Sequence, residues 1–330
     1  MIGIFKQKAP GNIALLFIFG LLIKLPLFFS PDTAVATPLD GKFYQMLVAA
    51  LSSNGKPLYA SIIAFICLYV QALQLTYMAN EYRMTSKQTF LPGMAYLLLT
   101  SLLPDWSFLS ATLIANTFII WAFIKLFDLY NLQQASGKIF NIGLLIGLAS
   151  FFFFPSLFVA IVLLFGMLIL RPFRINEIVL LLFGIATPYY FYAVYLFLSD
   201  RFNLQALFPK IDIEVPDLKN SGWHVGATIL IGVPFLAGGY FIQAQLRKML
   251  IQARKTWSII LIFLLLALFI PFTNSSDTYA TWIMAAAPFA IFHAAAYFYP
   301  VRRKWLALVL FFITIAFILT QQYLVKSWHI

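Results

Sequence analysis

NIGLLIGLASFFFFPSLFVAIVLLFGMLIL, residues 141 to 170, orients the rest of the chain. The run is uncharged and carries Pro155 at its centre. A helix crosses a bilayer core with about 20 apolar residues, and roughly 17 suffice. The run is therefore either one long kinked span or two short helices folded back near Phe151–Pro155, where proline interrupts the helix. Basic residues accumulate on cytoplasmic loops, so their placement separates the two readings. With a hairpin and a cytoplasmic N-terminus, Lys6, Lys8, Arg83, Lys87, Lys125, Lys138, Arg171, Arg174, Arg247, Lys248, Arg254, Lys255, Arg302, Arg303 and Lys304 lie inside. Only Lys42, Lys56, Arg201, Lys210, Lys219 and Lys326 lie outside, fifteen against six. A single span inverts everything after it and gives ten against eleven. The hairpin is the consistent choice.

Composition sets the class. Of 330 residues 62% are hydrophobic and 10% charged, with a mean hydropathy of +0.91. Soluble domains carry about 25% charged residues. The expected fold is an all-α polytopic transmembrane bundle forming one integral membrane domain over residues 1–330. About eleven apolar segments are expected, at 12–30, 57–79, 90–103, 106–127, 139–153, 154–170, 176–198, 223–242, 256–272, 279–298 and 305–324. The runs 90–103, 139–153 and 154–170 are short for full crossings. The hairpin at 139–170 lies between a first outer loop, 31–56, and a second, 199–221.

The net charge of +11 does not imply nucleic acid, because the basic excess falls on the cytoplasmic loops. Acids fall mainly outside: Asp32, Asp40, Asp105, Asp200, Asp212, Glu214, Asp217 and Asp277, against Glu81, Asp128 and Glu177 within. Cys67 is the sole cysteine, and His224, His293 and His329 are far apart, so no metal cage is expected among them. The basic N-terminus, apolar run and Ala34–Ala36 imitate a cleavable signal, but Lys24 and Pro26 interrupt the run, favouring a retained first span. A multi-pass protein of the bacterial inner membrane is expected, with membrane lipids around it.

Candidate chemistry concentrates in PLFFSPDTAVATPLDGKFY, residues 26–44. Its prolines stiffen the chain after the first span, so Asp32 and Asp40 sit on a shaped loop. Residues 43–51 read as a short amphipathic helix on the membrane surface. Asp40 reads as a base or as the cap of that helix, and Asp105 as a site acid or an N-cap. Asp277 reads as a cap. Trp106, Trp223, Trp257, Trp305 and Trp328 read as interfacial anchors. Gly143-xxx-Gly147 reads as close helix packing, and Gln71, Gln74 and Asn116 as interhelical hydrogen-bond formers. His293 reads as a neutral hydrogen-bonded imidazole rather than a proton carrier.

Three pieces carry a resemblance: Lys24–Leu27 with Leu39–Tyr44, Leu99–Pro104, and Gly143–Pro155. Together they resemble the GT-C superfamily of polytopic glycosyltransferases that use polyprenyl-phosphate-linked sugars. The resemblance implies sugar transfer at the outer face, with Asp40 or Asp32 as the base activating the acceptor and Asp105 beside them. It implies donor and sugar contacts from Lys42, Lys56, Tyr44, Arg201, Tyr189 and Tyr192, with Lys24 snorkelling to the surface. No organic cofactor is implied; a divalent cation, if used, would sit on outer carboxylates and lipid phosphate. The chain lacks the paired acids of that superfamily. As a whole it is also similar to a family of bacterial inner-membrane proteins, a likeness that implies no activity. The competing expectation is a non-enzymatic scaffold or subunit of a cell-envelope complex with protein partners.

Overall fold

The computed structural model describes residues 2–37, 40–53, 57–200, 202, 222–273, 279–300 and 304–325. Their regular secondary structure is all helical, with no strand; an isolated bridge joins Asp40 to Phe153. In chain order the helices are α1 (Ile2–Phe5), α2 (Asn12–Ile23), α3 (Pro26–Phe29), α4 (Lys42–Ser53), α5 (Pro57–Glu81), α6 (Leu91–Leu102) and α7 (Ala111–Phe127). There follow α8 (Ser136–Phe152), α9 (Val159–Leu170), α10 (Ile175–Leu198), α11 (Gly222–Gln245), α12 (Ile251–Phe269), α13 (Ile283–Phe298) and α14 (Lys304–Leu319).

Among the described residues six segments are long and apolar enough to cross a membrane: Pro57–Glu81, Ile175–Leu198, Gly222–Lys248, Ile251–Thr273, Tyr279–Phe298 and Trp305–Gln322. The other five expected segments fall on shorter apolar helices. A 12-residue helix such as α6 is only about 18 Å long. Every residue of α6 is buried, so it lies among other helices and not against lipid. A helix apolar on all sides belongs at the centre. Its neighbour α13 is buried along nearly its whole length. The alanines of α13 let backbones approach: a β-carbon on Gly238 of α11 would collide with the Phe292 carbonyl.

Polar side chains stitch this core. Tyr96 on α6 donates to Oε1 of Gln71 on α5, which also receives the Asn116 amide of α7 at 3.4 Å. The Gln71 amide donates to Leu113 O and Thr117 Oγ1, both at 2.7 Å. Gln74 departs from expectation, since its buried Oε1 takes no donor among the described residues. His293 Nε2 donates to Ile231 O at 2.8 Å, which ties α13 to α11.

Hydrogen bonds define two ends of the bundle. At one, Asp40 bridges Phe153, Tyr44 reaches Leu109, and Asp105 and Trp106 reach Tyr279. At the other, Thr89 meets Phe5, Trp257 meets Met84, and Asp128 pairs with Lys138 at 3.3 Å. Arg171, just after α9, donates to Leu129 O at 3.2 Å and to Leu132 O, and pairs with Glu177 at 2.9 Å. The C-terminus of α9 thus returns to the level from which α8 departs. The reversal lies at Phe153, whose extended backbone ends α8 before a 3-10 turn at Phe154–Phe158.

Gly143, Gly147 and Gly184 hold α8 against α10. A β-carbon on Gly143 would collide with Leu181 O, one on Gly184 with Phe140 O, and one on Gly147 would stand 2.7 Å from Ile185 O. This close contact is what the small-residue spacing of α8 predicts. Trp106 and Trp257 correct the reading of tryptophans as lipid-interface anchors: both are buried and donate to backbone carbonyls. Trp305 is exposed, while Trp328 lies outside the described residues.

Candidate functional site

The stretch between α2 and α4 is built around Asp40 and Gly41. Lys24 ends α2, Pro26 opens the single turn of α3, and the chain then runs without regular secondary structure to Thr37. Proline suits the first position of a helical turn because its missing N–H has no partner there anyway. Gly41 donates its N–H to Phe152 O at 2.8 Å, and a β-carbon at Gly41 would strike the Phe151 carbonyl. Only glycine fits so close to another backbone. This contact clamps the loop onto the C-terminus of α8.

The Asp40 carboxylate accepts the Thr37 N–H at 2.7 Å, closing the loop on itself. It therefore does not use that bond to cap α4, the alternative open from sequence. Burial raises the Asp40 carboxyl above its usual range, and the Thr37 hydrogen bond opposes that rise. The cause is desolvation and not a second carboxylate, as two facing acids would have produced. Asp32 is exposed on the same loop.

Helix α4 turns Tyr44 and Val48 into the bundle and Phe43 and Met46 outward. Residues four apart share a helix face, which is why the pair buries together. Tyr44 is 1% exposed and donates to Leu109 O at 3.0 Å, so it anchors α4 and is not turned toward a ligand. Burial also raises its hydroxyl pKa, with the Asp40 charge adding to the rise. Lys42 is exposed, with its ammonium 3.3 Å from Gln45 Oε1.

Beside this loop lies an apolar cavity of about 540 Å³, lined by Phe43, Met46, Leu144, Leu148, Thr187, Pro188, Phe191, Tyr192 and Tyr195. It runs between α4, α8 and α10. Phe43 stacks on Phe151 at 4.8 Å, and the Tyr189 ring lies 4.8 Å from Phe151 on the other side. Tyr189 and Ser150 share a hydrogen bond of 2.6 Å outside the lining, whose hydroxyls are those of Thr187, Tyr192 and Tyr195. The aromatic run 151–154 accordingly serves as packing. The cavity itself has no signature in the sequence beyond the tyrosines of α10.

Two expected residues are placed elsewhere. Lys24 does not snorkel: it is 1% exposed and donates to Ser107 Oγ at 2.9 Å and Thr100 O at 3.2 Å. Its stem starts where α2 ends, beside the 3-10 turn Pro104–Trp106, so protein rather than lipid surrounds it. Asp105 caps, but not its own helix: it accepts the Tyr279 N–H at 2.9 Å, at the start of the Tyr279–Phe298 segment. Helix α7 is capped by Ser110, which accepts from Leu113 N–H at 3.1 Å. Lys56, Arg201, Asp277 and nearly all of the second outer loop lie outside the described residues.

Among the described residues no three His, Cys, Asp or Glu side chains come together as a metal site. His224 stacks on Tyr279 with ring centres 4.4 Å apart. No family model, curated protein or solved structure matches this chain. The class these observations define is an all-helical protein with, among the described residues, six helices long and apolar enough to cross a membrane.

Proposed function

We propose that the protein is a glycosyltransferase-like enzyme that moves a sugar from a polyprenyl-phosphate donor, with Asp40 as the base. The observation carrying this reading is a desolvated carboxylate two residues before α4, the helix whose Phe43 and Met46 line an apolar cavity. A general base works best when its pKa is moved toward the operating pH, and burial moves Asp40 in that direction. The cavity suits an isoprenoid chain, because its lining is nearly all hydrocarbon and aromatic. In this reading the exposed Lys42 meets the donor phosphate, and Tyr192 lies along the sugar's path. Asp105 and Tyr44 support the scaffold, and Asp32 is the alternative base.

The same reading places the Asp40 end outward across a bacterial inner membrane, with eleven membrane segments and a cytoplasmic N-terminus. The return of α9 to the level of Leu129 supports that count, as does the seclusion of α6 from lipid. The test is transfer of labelled sugar from polyprenyl phosphate in membranes holding each variant at equal abundance. Asp40→Asn is expected to lose about 10²–10⁴-fold. Wild-type rates in both Asp40→Asn and Asp32→Asn would overturn the mechanism.

One observation favours a scaffold as second reading. The α10 segment is only 11% buried and packs chiefly through its glycine seam on α8. The rest of its surface is open to lipid or to another membrane protein. A scaffold predicts that both aspartates tolerate asparagine.

A further inference from the structure

The end of the bundle opposite Asp40 holds a second cavity, of about 890 Å³ and of different character. Its basic lining comes from Lys6 before α2, Arg83 and Lys87 in the α5–α6 loop, and Lys248 after α11. Among the described residues no carboxylate lines it. Among the described residues the ion pairs are Lys138–Asp128 and Arg171–Glu177, so Arg83, Lys87 and Lys248 have no acidic partner there.

The basic loops of a membrane protein follow the insertion rule, and that rule alone accounts for charge on this face. It does not account for a concave site or for a loop pinned into shape. Asn80 grips Thr89 twice, donating to its carbonyl at 3.1 Å and accepting its N–H at 2.8 Å. Thr89 Oγ1 and the Phe90 N–H both donate to Phe5 O, and Trp257 donates to Met84 O at 3.1 Å. Thr85 Oγ1 donates to Lys87 O at 2.8 Å. Arg83 stands at φ 48°, a left-handed conformation that costs a non-glycine residue. It is held there by Met84 N–H to Ala79 O at 3.0 Å, the bond that closes a helix C-terminus.

We propose that this cavity binds a phosphoryl group, carried either by the headgroup of an anionic lipid or by a soluble phosphate ester. Cations mounted on a preorganised loop bind phosphate at lower entropic cost than free side chains do. The floor is partly apolar, with Met249, Leu250, Phe298 and Tyr299, which suits a ligand having a non-polar portion behind the phosphate. This site is independent of the transferase reading, since it shares no residue with the Asp40 end.

The experiment uses the full chain in phosphatidylcholine nanodiscs with two probes. Inorganic pyrophosphate is followed by calorimetry, and spin-labelled phosphatidylglycerol by its immobilised fraction. At least one probe is expected to saturate on the wild type and on Lys138→Gln, whose cation is already paired with Asp128. The double variant Arg83→Gln/Lys248→Gln is expected to weaken it on the order of tenfold. Lys87→Glu, at an exposed position, gives the same readout should the double variant not accumulate. Saturation by pyrophosphate assigns the soluble source, and saturation by phosphatidylglycerol the lipid source. The proposal is overturned if neither probe saturates on the wild type, or if the cavity variants bind as tightly as Lys138→Gln.

Discussion

Lys24 points its ammonium at the hydroxyl of Ser107, 2.9 Å away and 83 residues later in the chain. Ser107 in turn donates to Thr100 O at 2.9 Å, so the Lys24 amine is received by a neutral, already bonded pair. Among the described residues no carboxylate lies at ion-pair distance from it. Burying a charge without a counter-charge is costly, and an apolar residue of similar length avoids that cost. Lys24→Met is therefore expected to unfold at the wild-type temperature or above it, with sugar transfer retained. Thermal unfolding in detergent checks the first point and the membrane assay the second.

Asp40 makes the opposite trade. Its carboxyl pKa is raised by burial in the folded protein above its ordinary value of 3.8. The folded state therefore holds the proton more tightly than the unfolded state. The resulting stabilisation is full at low pH and is lost as pH rises through the raised pKa. Asp40→Asn is expected to abolish that dependence and to be at least as stable as wild type at pH 7, because Asn still accepts the Thr37 N–H. Wild-type transfer should rise with pH across the same window, as the base ionises. Unfolding curves from pH 4 to 8 in both proteins measure the first effect, and the pH–rate profile the second.

Gly41→Ala tests whether Asp40 must be clamped to α8. The added methyl would collide with the Phe151 carbonyl, and backbone cannot give way as a side-chain tip can. Overpacking of this kind costs about 1–3 kcal/mol. Transfer is expected to fall toward the Asp40→Asn level, with Gly41→Ala still accumulating in membranes. An unchanged rate would show that Asp40 acts without the clamp.

Asp105 separates capping from chemistry by a pair of variants. Asn preserves an acceptor for the Tyr279 N–H and Ala does not. Asp105→Asn is expected to keep transfer near wild type, whereas Asp105→Ala should lose about 1 kcal/mol of stability. A large activity loss in Asp105→Asn at unchanged stability would move Asp105 into the reacting centre.

At the other end, Arg171 and Glu177 form an ion pair with side chains 7% and 11% exposed. Removing one partner leaves the other charge buried alone, so Glu177→Ala is expected to cost about 3–5 kcal/mol. Arg171→Met/Glu177→Leu together should recover most of that loss. Melting temperatures of the three proteins make the comparison.

Much of the architecture was legible before any coordinates. The glycine spacing of α8 announces a close helix contact, because small side chains at successive turns of one face leave room only for another backbone. The break near Pro155 is also readable, since the chain must reverse where basic residues return to one side. Asp32 and Asp40 could be singled out as candidates, but neither the burial of Asp40 nor the cavity near α4 could be read. Both require α4, α8 and α10 to come together. The fate of Lys24 was misread because a lysine near a span end has a default escape to the surface, and only its packed neighbours close that route.

Composition and charge order alone were enough to expect an all-helical bundle with helices apolar enough to cross a membrane, and to name its apolar segments. Hydropathy and propensity are properties of residues and of short windows, and they survive in any arrangement of the helices. Partner choice is different in kind. Asp105 capping a helix that starts at Tyr279, Trp106 and Trp257 turning inward, and Gly41 resting on the Phe151–Phe152 backbone depend on which helix ends meet. Those meetings are set by the packing of α6 and α13 at the centre. No local pattern encodes them, because each joins segments whose separation along the chain far exceeds the reach of a helical turn.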